Sequence, residues 1–266
     1  MKKRRIIPVL LLRDNWLVQS KNFSEYKKIG NPVSGVERFS EWDADELIYL
    51  DISQGESFSN SREDTNHPNF NSAVDALSEV CKAASMPITI GGGIKSLSDI
   101  EKRLALGADK ISINTQAIKD PNFIESAAKE FGSQCIVVSV DYKLEKETPR
   151  VWNRSINPQI LPKLEDWVKR AETLGAGEFL LNCVDKDGMK TGYDIETISQ
   201  IASLTNVPVI ACGGAGSWDD MYDLIVKTNV DAAAANIFHF QDQSIYIARR
   251  ELLLKGLPVR PPTLSS

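Results

Sequence analysis

The sequence predicts a single (β/α)8 barrel over residues 1–266, built as a two-fold repeat of half-barrels. Short apolar runs that are typical of buried strands alternate with amphipathic helical stretches along the chain. One strand–turn–helix segment recurs in the second half of the sequence. The Gly-rich turn that usually follows the first strand of a doubly wound sheet, the alternative fold, is absent here.

Each predicted strand is a short run of apolar and β-branched residues. In order, the eight runs are RIIPVLLL, ELIYLDIS, PITIGGG, KISINT, CIVVSVD, GEFLLNCV, PVIACGG and AAAANIF. The first contains no polar side chain between its opening arginine and Arg13, which is typical of a strand buried on both faces. Helices are predicted over LSDIEKRLALGAD, NFIESAAKEFG, LEDWVKRAETLGAG and IETISQIASLT, because apolar residues recur there at i, i+3, i+4 and i+7.

The repeat joins MPITIGGGIKSLSD, which begins at Met86, to VPVIACGGAGSWDD, which begins at Val207. Each is a strand, a glycine turn and a helix start with Ser ahead of an acidic residue. Glycine turns at the carboxyl ends of barrel strands let backbone N–H groups approach an anion. The pair therefore predicts two phosphate sites on opposite sides of the mouth. Glycines that only close strand–helix turns are the alternative.

The composition is that of a globular protein, with 42% hydrophobic and 25% charged residues. A net charge of −5 argues against a nucleic-acid surface, and the basic KKRR predicts a solvated chain end. No apolar run reaches the roughly 18 residues that span a bilayer, and no secretory signal is evident. We therefore expect a cytoplasmic protein. Four cysteines without CxxC spacing and two histidines predict no metal site, and we expect no cofactor.

Two long polar segments follow predicted strands on the carboxyl side of the barrel. Residues 53–71, rich in Ser and Asn, follow the second strand, and residues 141–167 include the end of the fifth strand and a long loop. Surface insertions are the simpler interpretation of both. The alternative is a lid or an arm that contacts a partner.

Four charged residues directly precede predicted strands, where the bottom of a barrel lies: Arg5, Glu46, Lys110 and Glu178. Charges this close to a barrel's interior must pair, or each costs several kcal/mol of desolvation. Two positive and two negative side chains satisfy this in a closed ring. From the charges alone, the simplest role of the ring is to seal the barrel.

Taken together, eight segments resemble the cyclase subunit of imidazole glycerol phosphate synthase, a (β/α)8 barrel of histidine biosynthesis. They cover nearly the whole chain and are RIIPVL, DADELIYLDIS, PITIGGGIK, GADKISINT, FGSQCIVVSVD, GAGEFLLNCVDKDGMKTGYD, PVIACGGAG and IFHF. That family works with a glutaminase, which docks on the N-terminal face of the barrel and releases ammonia through it. The resemblance therefore implies a glutaminase partner and a phosphorylated small-molecule ligand.

The resemblance also implies roles for individual residues. One phosphate site is expected at Gly93, Asn114 and Thr115. The other is expected at Asp187, Gly188, Gly214, Ala235 and Asn236, the last replacing the family's more frequent Ser. The four charged residues before the strands match the gate of the ammonia entrance, and Asp109 matches a residue at the glutaminase interface.

The acid/base pair of the family is only half retained. Its aspartate at the end of the fifth strand is kept as Asp141, but its partner at the end of the first strand falls on Leu11. Asp14 aligns with a later loop aspartate, and a lysine on the family's mobile loop falls on Gln19. A positioned carboxylate contributes about 10²–10⁴-fold to proton transfer. We therefore expect weakened or lost ring closure, and a drier mouth that raises the pKa of Asp141.

Retention of the gate without the full acid/base pair resembles cyclase-like paralogues of surface-polysaccharide pathways. There, ammonia is thought to reach a separate ATP-using enzyme that converts an acetamido group on a sugar to an acetamidino group. We expect this function, with a sugar amidotransferase at the C-terminal face and residues 53–71 as a docking element. The alternative is a genuine imidazole glycerol phosphate synthase cyclase, a lyase, with an altered acid/base site. A sugar-phosphate isomerase and a ligand-binding module are less favoured.

Overall fold

In a computed structural model the chain folds as the predicted (β/α)8 barrel, described over residues 3–53, 70–146, 148–239 and 241–262. The strands are β1 (Ile6–Arg13), β2 (Trp16–Lys21), β3 (Glu25–Gly30), β4 (Leu47–Asp51), β5 (Ile88–Gly91), β6 (Lys110–Ile113), β7 (Ile136–Glu145), β8 (Thr148–Val151), β9 (Glu178–Cys183), β10 (Val209–Cys212) and β11 (Asp231–Ala234). The helices are α1 (Ser34–Glu41), α2 (Ala73–Ala83), α3 (Leu97–Ala105), α4 (Thr115–Lys119), α5 (Asn122–Phe131), α6 (Leu164–Thr173), α7 (Ile195–Leu204), α8 (Trp218–Thr228) and α9 (Ser244–Leu254).

Eight parallel strands close the barrel in the order β1, β4, β5, β6, β7, β9, β10 and β11 within the described ranges. The last strand returns to the first, with Ile7 paired with Ala233 in parallel register. Each predicted strand run matches one of these eight strands, and helices occupy the predicted helical stretches. Parallel strands of this kind have their carboxyl ends on one face, so the loops after them surround a common mouth.

Side chains alternate along each barrel strand between two apolar layers. On β1, Ile6, Leu10 and Leu12 face the large core beneath the helices. Ile7 and Val9 face the barrel interior instead, and Leu11 packs against that interior cluster. Because the strand has apolar residues at both sets of positions, its sequence shows no polar–apolar alternation.

Two hairpins add to the barrel on its carboxyl face. The first runs through β2 and β3, where the resemblance implied a mobile loop. The second extends β7 and pairs it with β8, so the predicted loop after the fifth strand is partly a strand hairpin. Tyr142 and Val151 are paired and buried, which explains the added order in this polar segment. Within residues 53–71, positions 54–69 lie outside the described residues, so the predicted docking element is not addressed by the structure.

Candidate functional site

A cavity of about 520 Å³ opens at the mouth of the barrel. Among the residues singled out from the sequence, those that line it are Leu11, Gly93, Asn114, Thr115, Asp141, Asp187 and Ala235. The lining comes from loops and strand ends around the whole barrel, as expected for this fold. Gln19 lies on β2, opposite Lys27 of β3, and does not line the cavity.

Leu11 faces the cavity from the carboxyl end of β1. It is paired in parallel register with Leu50 of β4, and both side chains pack against the apolar interior of the barrel. Neither side chain can accept or donate a proton. The part of the mouth formed by these two leucines is therefore apolar, and it offers no acid or base at the position of the family's first aspartate, although Asp51, the next residue of β4, also lines the cavity.

Asp141 lies across the mouth at the end of the inward-facing part of β7. The side-chain amide of Asn114 donates a hydrogen bond of 2.7 Å to its carboxylate. Burial raises the pKa of Asp141 to about 7, and the nearby charge of Asp187 acts in the same direction. The amides of Asn114 and Asn182 lower the pKa, but by less than burial raises it. The carboxyl group can therefore both hold and release a proton near neutral pH.

Asn182 is a site residue that the sequence analysis missed. It pairs in register with Asp141 across β7 and β9, and its side chain lines the cavity. The signal was present in the sequence, since the residue ends a predicted strand just as Asp141 does. An amide in an otherwise apolar run, FLLNCV, marks a strand end that faces the mouth.

The first predicted phosphate site has a glycine turn on one side and polar side chains on the other. Gly93 adopts a φ of +66°, a backbone conformation that side chains disfavour. Thr115 accepts a hydrogen bond of 2.9 Å from Asn153 at its hydroxyl. Lys95 and Lys119, which the sequence analysis did not single out, also line the cavity. This end of the cavity therefore has two lysines, together with Asp51, which lies against Gly92.

The second predicted phosphate site is covered by the β2–β3 hairpin. Ser20 donates a 2.5 Å hydrogen bond to the carboxylate of Asp187, and Asn236 donates a 2.9 Å bond to the Ser20 carbonyl. The Asn22 N–H also donates to the Asp187 carbonyl over 2.9 Å. Gly188 lies against the same hairpin, since an added Cβ would meet Ser20 and Lys21. Asp187 and Ala235 line the cavity, whereas Gly188, Gly214 and Asn236 do not.

At the opposite end of the barrel, the four predicted charges form a connected ring. Arg5 is paired with Glu46 at 2.6 Å and also with Glu178. Lys110 joins the same two carboxylates, at 3.1 Å to Glu46 and 2.8 Å to Glu178. Both glutamates are buried. The pairing that the sequence predicted is confirmed by these contacts, while a gating role stays a prediction.

Asp231 is a fifth member of the ring, and the sequence analysis missed it. Its carboxylate accepts hydrogen bonds from Arg5 at the backbone nitrogen, over 3.0 Å, and at Nε, over 2.9 Å. The residue begins β11, so it occupies the same position before the barrel interior as the four predicted charges. Nearby Asp109 accepts a 2.8 Å hydrogen bond from the Ile88 N–H, which ties it to the amino end of β5.

The side chains and helices of the described ranges also bear on the reactivity of Cys212, on metal binding and on membrane-spanning segments. Cys212 lines the cavity, but burial raises the pKa of its thiol to about 12, so it is protonated at neutral pH. In the described ranges, no group of three or more His, Cys, Asp or Glu side chains has an arrangement that could hold a metal ion. No helix of those ranges is long and apolar enough to cross a membrane.

Fold and site together define a (β/α)8 barrel with a part-polar, part-apolar cavity at its mouth and a closed charge ring at its base. A family model described as histidine biosynthesis protein matches residues 5–244. The chain belongs to this family.

Curated relatives agree with this assignment over nearly their whole length. The chain is 39% identical to the imidazole glycerol phosphate synthase subunit HisF of Lactococcus lactis subsp. cremoris strain MG1363, over 98% of this chain and 97% of the relative. It is also 39% identical to the subunit of the same name in Natranaerobius thermophilus, over 98% of this chain and 100% of the relative. A protein of Vibrio vulnificus named putative imidazole glycerol phosphate synthase subunit hisF2 is likewise 39% identical, over 98% of this chain and 92% of the relative.

Proposed function

We propose that this chain is the barrel subunit of a glutamine amidotransferase complex. A glutaminase docks at the N-terminal face and releases ammonia, and the barrel conducts it to the mouth. The observation that carries the proposal is the combination of a paired charge ring at the base with an apolar barrel interior above it. The relatives are named as subunits of imidazole glycerol phosphate synthase, which supports a role as one subunit of a complex.

The barrel interior favours ammonia in its neutral form. Above the ring, an apolar cluster of inward-facing residues includes Ile7, Ile48, Val137, Leu180 and Ile210. An ion moved into such surroundings loses its hydration without replacement, which costs several kcal/mol, whereas uncharged ammonia does not carry this penalty. The charged ring must open for ammonia to enter, because its salt bridges close the centre of the base.

Delivery to a second enzyme is the use of ammonia that the mouth favours. Ring closure to imidazole requires proton removal and donation on a bound intermediate, and Leu11 cannot take part. We propose that the ammonia reaches a sugar amidotransferase at the C-terminal face, for conversion of an acetamido sugar to an acetamidino sugar in polysaccharide biosynthesis. The apolar pair formed by Leu11 and Leu50 supports this proposal, since it leaves position 11 without a group that could exchange a proton with a bound intermediate.

A second function is favoured by the names of the relatives, most of which are cyclase subunits of histidine biosynthesis. These names support cyclisation better than they support sugar amidation. Asp141 also favours this function, because a carboxyl group with a pKa of about 7 suits general acid–base catalysis at neutral pH. In that case the proton transfers that the missing carboxylate would have made at position 11 are made by a group elsewhere in the mouth.

Co-purification with a glutaminase subunit from the same source, followed by turnover of amide-labelled glutamine, tests the part that both functions share. We expect a complex in which the barrel stimulates glutamine hydrolysis, and absence of both a complex and stimulation contradicts it. Addition of the histidine-pathway intermediate then separates the two uses of ammonia. Label released without imidazole glycerol phosphate supports the amidation function, whereas labelled product at the rate of an ordinary synthase supports the cyclase.

A further inference from the structure

The half-barrel repeat is visible in the hydrogen bonds of two helix starts. At the start of α3, Ser96 and Asp99 form a capping box, and the Lys95 N–H donates to the same carboxylate over 3.0 Å. At the start of α8, Ser217 and Asp220 form the matching box. There the N–H of residue 216 donates to the carboxylate over 2.9 Å. These contacts align the two helices residue for residue.

Counting from the capping serine in each helix, Arg103 of α3 corresponds to Leu224 of α8. Leu224 is completely buried in the core beneath the helices, as the repeat predicts for this position. Arg103 is only 8% exposed, so a guanidinium occupies a place where the second half-barrel has a hydrocarbon side chain. Burial of a charge is costly, and that cost points to a purpose beyond packing.

The buried guanidinium lies directly behind the first glycine turn. Its Nη2 donates to the Gly92 carbonyl over 3.2 Å, and its Nη1 donates to the Asp99 carbonyl over 3.1 Å. A Cβ added to Gly93 would lie 3.5 Å from Nη2. The Nε has no hydrogen-bond partner in the part of the chain that the structure describes. The positive charge is therefore only partly compensated by the protein.

The geometry of the peptide bond links this arginine to the mouth. In a trans peptide, the carbonyl of one residue and the N–H of the next point in opposite directions. Arg103 holds the Gly92 carbonyl on the side away from the cavity, so the Gly93 N–H points toward the cavity that both glycines line. An anion on that side meets a fixed N–H donor, with a guanidinium behind it.

We propose that Arg103 is a positioning residue for a phosphoryl group bound at the turn formed by Gly92 and Gly93. This inference rests on the proposed function, since it concerns the same mouth. Lys95 and Lys119 line the cavity at this end. At the second site Leu224 takes the place that Arg103 has at the first, and the buried carboxylate of Asp187 lines the cavity. A dianionic phosphate ester is thus the ligand class for the first turn.

Calorimetric titration of the full chain with inorganic phosphate, at constant ionic strength, tests the proposal. In Arg103→Leu we expect the Kd for phosphate to rise about tenfold or more, because a charge-assisted interaction is typically worth 1.5–3 kcal/mol. The melting temperature is expected to stay equal or rise, because leucine is the residue that the equivalent position already holds. The control, Lys102→Ala, removes an exposed positive charge from the same helix and is expected to leave the Kd within about twofold.

Two conservative substitutions of Arg103 keep the test informative if Arg103→Leu does not fold. Arg103→Lys retains the positive charge, whereas Arg103→Gln retains a hydrogen-bond donor but no charge. The lysine variant is therefore expected to bind phosphate more tightly than the glutamine variant. Wild-type affinity in the leucine variant, or in both conservative variants, overturns the proposal, as does absence of saturable phosphate binding in the wild-type chain. Because neither glutamine nor a glutaminase is present, these outcomes are separate from a failure of ammonia delivery.

Discussion

Leu11 of β1 is paired in register with Leu50 of β4, and the two side chains close the apolar interior of the barrel where it meets the mouth. The pair lies opposite Asp141, so a hydrocarbon surface faces this carboxyl group across the cavity. A dry wall favours the neutral form of both ammonia and a facing carboxyl group. The raised pKa of Asp141 and the proposed conduction of neutral ammonia therefore rest on the same physical cause.

Restoration of a carboxylate at position 11 tests whether one missing group limits ring closure. For Leu11→Asp in complex with the glutaminase, we expect imidazole glycerol phosphate formation to rise about 100-fold or more, because a positioned acid/base group contributes about 10²–10⁴-fold. The matched control is Leu11→Asn, which has nearly the same shape but exchanges no proton. Equal rates in the two variants contradict the prediction, and product formation from the histidine-pathway intermediate is the measurement.

Replacement of Asp141 by Asn tests the titration of the mouth. Burial raises the pKa of this carboxyl group from its ordinary value of 3.8 to about 7, so between these two values the folded state holds a proton that the unfolded state has lost. Its contribution to stability is therefore greatest at low pH, declines as pH rises through this window and is gone above about pH 7. Asp141→Asn has no such dependence.

The difference in the free energy of unfolding, Asp141→Asn minus wild type, is accordingly expected to rise between about pH 4.5 and about pH 7 and then stay constant. Urea unfolding across this range measures it. Subtraction removes the contributions of groups that titrate alike in both proteins. A difference that is flat across the range, or that falls as pH rises, contradicts a raised pKa at Asp141.

The fold was predictable because its signals are local and repeated. Eight apolar runs and the amphipathic stretches between them each predict their own element, and the match between the segments at Met86 and Val207 predicts their equivalent positions. The hairpin of β2 and β3 was not predicted. Its stability depends on contacts of Ser20 with Asp187, which is distant in sequence.

The candidate site was predictable only where a residue type or a family motif marked it. Asp141 stands out as a carboxylate at the end of an apolar run. Asn182 was missed although it pairs in register with Asp141, and Asp231 was missed although it begins its strand as the predicted charges do. Arg103 could not be singled out by periodicity alone, because a charged residue in an amphipathic helix is usually on its exposed face. Only the fold shows that its guanidinium lies behind a glycine turn.

Removal of one cation from the charge ring tests how strongly the ring is paired. Burial lowers the pKa of Arg5, but Glu178, Glu46 and Asp231 outweigh this effect and raise it. Arg5→Met leaves these three carboxylates with Lys110 alone, so we expect a loss of about 3–5 kcal/mol in the free energy of unfolding at neutral pH. Urea denaturation is the measurement.

Lys110→Met is the matched comparison for the ring. It leaves Arg5 paired with all three carboxylates, so the loss in free energy of unfolding is expected to be smaller than for Arg5→Met. If the lysine variant is the less stable of the two, Arg5 is not the centre of the ring. Both losses are expected to shrink at low pH, where protonation of the carboxylates removes their uncompensated charge.

A pair of glycine substitutions separates backbone conformation from close packing at the mouth. Gly92 has a φ of +89°, and an added Cβ would overlap the carbonyl of Asp51. Gly256 has a similar φ of +83°, but nothing lies within 4 Å of an added Cβ. We therefore expect Gly256→Ala to cost about 1 kcal/mol, from conformation alone. For Gly92→Ala we expect a loss of more than about 4 kcal/mol, because β4 must move to admit the methyl group. Urea unfolding of the two variants measures both losses. Similar losses would show that β4 does not constrain the turn that Arg103 supports.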